Sequence, residues 1–187
     1  NDQSPTTATS NTTQDTTQIS QAAPTELQVK HVSGETTVKM NPQRVATFDF
    51  GSLDTLEALG IDVIGIPKAN IPAYLSQYKD DKYVNFGSLK EPDFEAVYAA
   101  KPDLIIISDR QVNIYDQFSE IAPSINLNID TNDYMNSLNK NSLTLGKLFN
   151  KEKETQAQLD DLQTQINAIK ETTSNMPDTA LILWLYS

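Results

Sequence analysis

The chain has 187 residues, enough for one domain with a tail, and carries 14 Lys and Arg against 25 Asp and Glu, a formal net charge of −11. It contains no cysteine, which excludes disulfide bonds, thiolate metal sites and a cysteine nucleophile. The acidity argues against a nucleic-acid partner, which needs a basic face, and implies that any anionic ligand is held by a few local cations.

Two short segments precede the first buried strand. Residues 1–25 are rich in Ser, Thr, Gln and Asn and almost free of large apolar side chains, so they predict a disordered tether. Polar and apolar residues then alternate from Glu26 to Met40 around a central Ser-Gly pair, which predicts a hairpin. His31 is the only histidine, and we expect it to be an exposed residue of this hairpin. One histidine alone makes neither a catalytic triad nor a metal site.

From Val45 onward, short apolar runs alternate with segments of helical periodicity. The predicted strands are Val45–Phe50, Val63–Ile66, Val84–Phe86, Leu104–Ile107 and Ile125–Leu127. The predicted helices are Ser52–Leu59, a helix capped by Asp93 and running to about Ala100, Gln111–Glu120, and a helix capped by Asp133 and running to about Phe149. This order predicts an α/β lobe with a doubly wound parallel sheet and ligand-binding loops at the carboxyl ends of the strands.

The last part of the chain differs in character. A long helix is predicted from Glu152 to about Thr173, with one narrow apolar stripe typical of a helix lying across a surface. The apolar run Ala180–Tyr186 predicts a buried strand with little sequence left to cover it, so we expect a missing domain. The predicted organisation is a tether at 1–25, a lobe at 26–150, a linking helix at 151–175 and the first strand of a truncated second lobe at 176–187.

Signatures of catalysis are absent from the sequence. It has no GxGxxG, P-loop, HExxH or GxSxG motif. Asn128–Asp133 resembles a calcium loop but lacks the central glycine and the terminal glutamate. No acid–base pair is evident either, so the sequence favours binding over catalysis, without a metal held by the protein itself.

Three segments carry a resemblance to a known family. They are NPQRVATFDFGSLDTLEALGIDVIGIPK at 41–68, YVNFGSLKEPDFEAVYAAKPDLIIISDRQ at 83–111, and the long helix followed by ALILWLY. Their order and spacing resemble the iron-siderophore-binding proteins of bacterial ABC importers, in which one rigid helix joins two lobes. The amino-acid sequence of the second segment is most similar to that of Gram-positive lipoproteins that bind catecholate siderophores. The resemblance covers about residues 38–187 and implies the amino-terminal lobe, the linking helix and the start of the second lobe.

The resemblance implies that Lys90 in GSLKEP and Arg110 in ISDRQ contact the siderophore. Each follows a predicted strand, and a planar Arg fork with a mobile Lys charge suits the oxygens of an anionic catecholate complex. Asp109 stands where many relatives have a small residue and places a negative charge beside Arg110. Weaker candidates for ligand contact are Gly51, Lys68, Asn70 and Gln111, together with Tyr74, Tyr78 and Tyr83, whose rings can stack on catechols.

The resemblance also implies partners and a location. Glu95, in the first turn of its predicted helix, matches the acidic residue through which the lobe docks onto permease arginines, although a helix start favours an acid in any case. The iron is bound by the siderophore, so no cofactor or protein metal site is expected. The tether suits a lipoprotein anchored upstream of Asn1 at the extracellular face of the membrane.

Three alternatives remain open at this point. The same fold carries haem, corrinoid or hydroxamate ligands, although no clear axial haem ligand is seen. A doubly wound enzyme domain related to nitrogenase components would need cluster-binding cysteines, which are absent. A surface module that binds another protein would not require Lys90 and Arg110 at the ends of strands.

Overall fold

A computed structural model describes residues 24–69 and 71–174. The predicted tether up to residue 23, Asn70 and the predicted strand Ala180–Tyr186 lie outside these residues. Thr25, which was predicted to belong to the tether, is instead attached to the hairpin, because its carbonyl oxygen accepts a hydrogen bond from Met40 N at 2.9 Å. Within the described residues, a two-stranded antiparallel sheet and a five-stranded parallel sheet form the framework.

The predicted hairpin is confirmed as strands β1, Glu26–His31, and β2, Gly34–Lys39. The expectation that His31 is a surface residue was wrong: its ring is half-buried, and burial lowers the pKa of its imidazole. Its Nε2 lies 2.9 Å from Thr36 Oγ1, and the Thr36 hydroxyl lies 2.8 Å from the Ser124 carbonyl oxygen. The second of these contacts attaches the hairpin to β7, Ser124–Asn126, at the edge of the parallel sheet.

The parallel sheet has the strand order β5-β4-β3-β6-β7. Its strands are β3, Val45–Thr47; β4, Gly65–Ile66; β5, Val84–Asn85; β6, Leu104–Ile107; and β7, Ser124–Asn126. Every pairing is parallel. Because β6 has a neighbour on each side and all four of its side chains are buried, it is an interior strand of the sheet.

Among the residues that the structure describes, five α-helices connect or follow these strands. They are α1, Phe50–Ala58; α2, Phe94–Ala100; α3, Tyr115–Ser119; α4, Tyr134–Leu148; and α5, Glu152–Ser174. Short 3₁₀ segments occur at Ala73–Lys79, Asp109–Ile114 and Thr131–Asp133. The first of these was not predicted, and the predicted single helix Gln111–Glu120 was wrong because its first half is part of the second 3₁₀ segment.

The two faces of the sheet bury two separate cores. Leu104 and Ile106 of β6 point to the core shared with α1, α4 and the hairpin. Ile105 and Ile107 point to the opposite core, shared with α2 and α3. Since side chains alternate along a strand, this division places helices on both faces. The predicted doubly wound α/β architecture is therefore confirmed.

Side-chain hydrogen bonds at the helix N-termini explain why some helices begin at other residues than predicted. The Asp49 carboxylate accepts hydrogen bonds from Ser52 N at 2.8 Å and Ser52 Oγ at 2.6 Å, so α1 begins at Phe50 and the predicted strand ends early. Asp93 caps α2 as predicted, accepting from Ala96 N at 3.0 Å. Asp133 precedes α4 but makes no such cap, because its carboxylate accepts from Asn136 Nδ2 at 2.8 Å instead.

Helix α5 packs against α4 at its start and then becomes exposed. Thr155 is buried against Gly146, and Gln158 Nε2 donates to the Ala58 carbonyl oxygen at 3.0 Å. Along the predicted apolar stripe, Leu159, Leu162 and Ile166 are half-buried, whereas Ile169 is 39% exposed. In the part of the chain that the structure describes, no helix is both long and apolar enough to cross a membrane.

Candidate ligand-binding site

The strand order creates a crevice at the carboxyl edge of the parallel sheet. From β3 the chain proceeds to β4 and β5 on one side, and β6 then leads to β7 on the other. The loops after the adjacent strands β3 and β6 therefore diverge, which is where open α/β sheets bind ligands. A cleft of about 610 Å³ lies here, walled by these loops, the loop after β5 and the start of α4.

Three of the predicted contact residues line this cleft. Lys90 lies on the loop after β5, Arg110 on the loop after β6, and Gly51 in the first turn of α1 after β3. All three are exposed. The structure therefore brings together, on one concave surface, two basic side chains and one position without a side chain.

The Lys90 loop is a tight turn. Gly87 has a φ of 83°, and it forms an isolated antiparallel bridge with Pro92. Ser88 N donates to the Glu91 carbonyl oxygen at 3.1 Å, and Glu91 N donates to Ser88 Oγ at 2.9 Å. A side chain at position 87 would be strained by the positive φ and would place its Cβ 2.7 Å from Glu91 O. The glycine is thus what permits Lys90 to stand at the tip of so short a loop.

Two weaker candidates lie elsewhere. Gln111 is completely buried and does not line the cleft; its amide bonds Ser108 N and the Leu89 carbonyl oxygen. Lys68 also lies outside the cleft lining, and its Nζ donates to the Asp80 carbonyl oxygen at 2.7 Å. Gln111 is therefore not available to a ligand in this conformation, and Lys68 lies outside the cleft.

The predicted aromatic candidates separate in the same way. Tyr78 and Tyr83 are buried with ring centroids 4.8 Å apart, so they serve packing in the core. Tyr74 lines the cleft, and so does Tyr134, which sequence reasoning missed. The position of Tyr134, just after the loop that follows β7, was the available signal, because every loop at that edge faces the cleft.

Carboxylates share the cleft with the two cations. Asp49, Asp54 and Asp109 all line it, so the lining carries one more negative than positive charge when every group is ionised. Burial raises the pKa of Asp49, while hydrogen bonds from Ser52 and Gly51 and the charge of Arg110 oppose that rise. Burial, together with Glu57 and Asp49, raises the pKa of Asp54 to about 6. An anionic ligand must therefore approach Lys90 and Arg110 closely, where their attraction exceeds the repulsion from the three carboxylates.

Glu95 occupies a different surface. It is exposed in the first turn of α2 and does not line the cleft. Among the described residues, no group of three or more His, Asp or Glu side chains is placed to hold a metal ion.

Comparison with known proteins identifies the kind of protein to which this cleft belongs. The family model for periplasmic binding proteins matches residues 45–187. The chain belongs to this family of periplasmic binding proteins. The resemblance seen in the sequence is thereby confirmed, and the enzyme alternative loses its support, because the family consists of substrate-binding proteins.

Individual relatives share both sequence and fold. The petrobactin-binding protein YclQ of Bacillus subtilis is 46% identical over 162 residues, which are 84% of this chain and 51% of the relative. Its crystal structure matches with a TM-score of 0.77 at 49% identity, covering 79% of this chain and 53% of that one. The catecholate-siderophore-binding protein VctP of Vibrio cholerae matches with a TM-score of 0.74 at 36% identity, covering 80% and 54%.

A third solved relative contains an iron complex. The siderophore-binding protein BauB, bound to two acinetobactin molecules and ferric iron, matches with a TM-score of 0.76 at 35% identity, covering 82% of this chain and 56% of that one. The chain spans about half the length of the relatives that it matches. Some further relatives are named as lipoproteins, among them the putative substrate-binding lipoprotein YhfQ of Bacillus subtilis.

Proposed function

We propose that this periplasmic binding protein captures a ferric siderophore, of the catecholate type, and delivers it to the permease of an ABC importer. The observation that carries the proposal is the convergence of Lys90, Arg110 and Gly51 on one cleft at the point where the strand order reverses. That is the position at which α/β sheets of this kind bind ligands.

The two cations suit the charge of such a ligand. A ferric tris-catecholate is an anion with a charge near −3 when fully deprotonated, and its oxygens lie on a broad surface. Arg110 offers a planar fork of hydrogen-bond donors, and Lys90 offers a mobile charge on the opposite loop. Gly51 leaves the floor between them open. The iron stays within the siderophore, so the protein needs no metal ligands of its own.

Relatives support the catecholate class in particular. YclQ is named for petrobactin, and VctP is described as a catecholate-siderophore-binding protein. Lys90 and Arg110 are compatible with hydroxamate complexes too, but these carry less negative charge and gain less from two cations. Hydroxamates are accordingly the second candidate class for the same cleft.

The remaining assignments follow from the proposed role. Glu95 on the exposed start of α2 meets a basic patch of the permease, and α5 links this lobe to a second lobe that closes over the ligand. A lipid anchor upstream of Asn1 holds the protein at the extracellular face of the membrane, with the chain before Thr25 as the tether. The names of the lipoprotein relatives support this location.

The test is a fluorescence-quenching titration of the protein expressed from its whole gene. The titrants are a ferric catecholate, a ferric hydroxamate and haem. We expect the catecholate to bind most tightly and Arg110→Ala to weaken it by roughly 10- to 100-fold, as for loss of a charge-assisted contact. The matched control is Lys101→Ala, an exposed cation at the opposite end of the sheet, which we expect to leave binding unchanged.

Two results would contradict the proposal in different ways. Tight binding of haem or hydroxamate with no response to catecholate retains the cleft but refutes the ligand class. An Arg110→Ala variant that binds catecholate as tightly as the Lys101→Ala control refutes the assigned contact.

A further inference from the structure

The Gln111 side chain hydrogen-bonds to both of the loops that carry the cations. Its Oε1 accepts a hydrogen bond from Ser108 N at 3.1 Å, and its Nε2 donates to the Leu89 carbonyl oxygen at 2.6 Å. The side chain is completely buried, with a relative exposure of 0%. Both ends of a buried amide are therefore committed to backbone groups, one on each loop.

The two partners of Gln111 are next to the predicted ligand contacts. Leu89 immediately precedes Lys90, and Ser108 lies two residues before Arg110. The strands that lead into these loops, β5 and β6, do not pair with each other, because β4 and β3 lie between them. The sheet ladder therefore fixes the separation of the two loops only through two intervening strands, whereas Gln111 connects them directly.

We propose that Gln111 is a positioning residue that holds the Lys90 and Arg110 loops at a fixed separation before the ligand arrives. This inference rests on the proposed function. Gln111 would then contribute to the affinity without touching the ligand. Loops that are already held in place lose little conformational freedom on binding, and this makes binding tighter. Without the amide, each loop retains its own turn, but their relative position is set less firmly.

Burial and chemistry both favour this role over simple packing. A buried amide is costly unless its donor and acceptor are satisfied, and an apolar residue would fill the same space without that requirement. The amide also offers an NH₂ donor group and an oxygen acceptor in the arrangement that a carbonyl on one loop and an N–H on the other require. Packing alone does not account for that match.

The test is a double-mutant cycle on the protein expressed from its whole gene, with a ferric catecholate as the probe. Gln111→Met keeps the length and volume of the side chain while removing both hydrogen bonds. We expect Gln111→Met to weaken binding about tenfold in the otherwise unchanged protein. In a protein that already carries Lys90→Ala, we expect the same substitution to weaken binding by less than about threefold, which is the experimental margin. Gln117→Met, at an exposed glutamine of α3, is the control and should bind as the unchanged protein does.

A second readout keeps the role distinct from general stability. Amide hydrogen exchange at residues 88–91 should be faster in the Gln111→Met variant, while exchange in β6 stays unchanged. If that variant does not fold, Gln111→Asn retains an amide that is one methylene too short to reach both loops, and we expect the same changes.

The outcomes separate the two claims. If the unchanged protein binds no ferric siderophore, the proposed function fails. If it binds, and the glutamine variant either binds equally well or loses the same factor with and without Lys90, the positioning role of Gln111 is refuted.

Discussion

Lys90 and Arg110 show what a single residue reveals before the structure is known. Both follow apolar runs that end in short polar turns, and the ends of parallel strands share one edge of a sheet, so their convergence was predictable. The orientations of the Gln111 and Lys68 side chains were not predictable. A position after the end of a strand does not specify whether a side chain points into the cleft or away from it. Gln111 turns inward to satisfy two backbone groups, and Lys68 turns to the carbonyl oxygen of Asp80.

Asp54 carries a testable consequence for stability. Its pKa is raised to about 6 in the folded protein, whereas an unfolded aspartate has a pKa near 3.9. Between those values the folded state binds more protons than the unfolded state, so this group makes the protein less stable as the pH rises. We expect Asp54→Asn to have a higher Tm than the unchanged protein at pH 8, with the difference disappearing near pH 4.

Thermal unfolding at the two pH values measures this effect. Glu171→Gln, which removes an exposed carboxylate from the end of α5, is the matched control and should show little change at either pH. An equal gain for Asp54→Asn at both pH values, or none at pH 8, would show that the carboxylate is not destabilised in the folded state.

At the scale of elements, periodicity predicted most of the architecture. The hairpin, the five strands, α1, α2, α4 and the long helix all appear close to their predicted positions. The errors fall where local hydrogen bonds override periodicity. Asp49 starts α1 two residues early, and Gln111 N donates to the Ser108 carbonyl oxygen, so that the segment begins as a 3₁₀ turn. Apolar spacing carries no information about such bonds.

The contact between α4 and α5 gives a prediction at this scale. A Cβ added at Gly146 would lie 2.8 Å from Thr155 Cβ and 3.3 Å from the Lys151 carbonyl oxygen, so the helices would have to separate. We expect Gly146→Ala to lower the free energy of unfolding by about 1–3 kcal/mol, the usual cost of overpacking, although alanine favours helix elsewhere.

Denaturant unfolding measures that cost. Lys147→Ala, at the adjacent exposed position of the same helix, is the control and should change stability by less than about 0.5 kcal/mol. If Gly146→Ala is as stable as the control, α5 does not press against α4 as closely as the structure indicates.

At the scale of the whole molecule, the sequence indicated the fold class but not the strand order. Short connections and right-handed crossovers restrict the topology, yet several orders satisfy them. The order β5-β4-β3-β6-β7 places the reversal between β3 and β6, and this is what makes a cleft out of the loops bearing Gly51 and Arg110. The location of the cleft is therefore a property of topology, whereas the two cationic residues that line it were singled out from the sequence.

We propose that a ferric siderophore binds where the strand order reverses, between β3 and β6. NMR can map this contact residue by residue. Gallium replaces iron in the complex, because it has the same charge and is diamagnetic. We expect the backbone resonances of Gly51, Lys90, Arg110 and their neighbours at the ends of β3, β5 and β6 to shift on titration. Shifts confined to the hairpin or to the exposed face of α5, with none at that edge, would contradict the account.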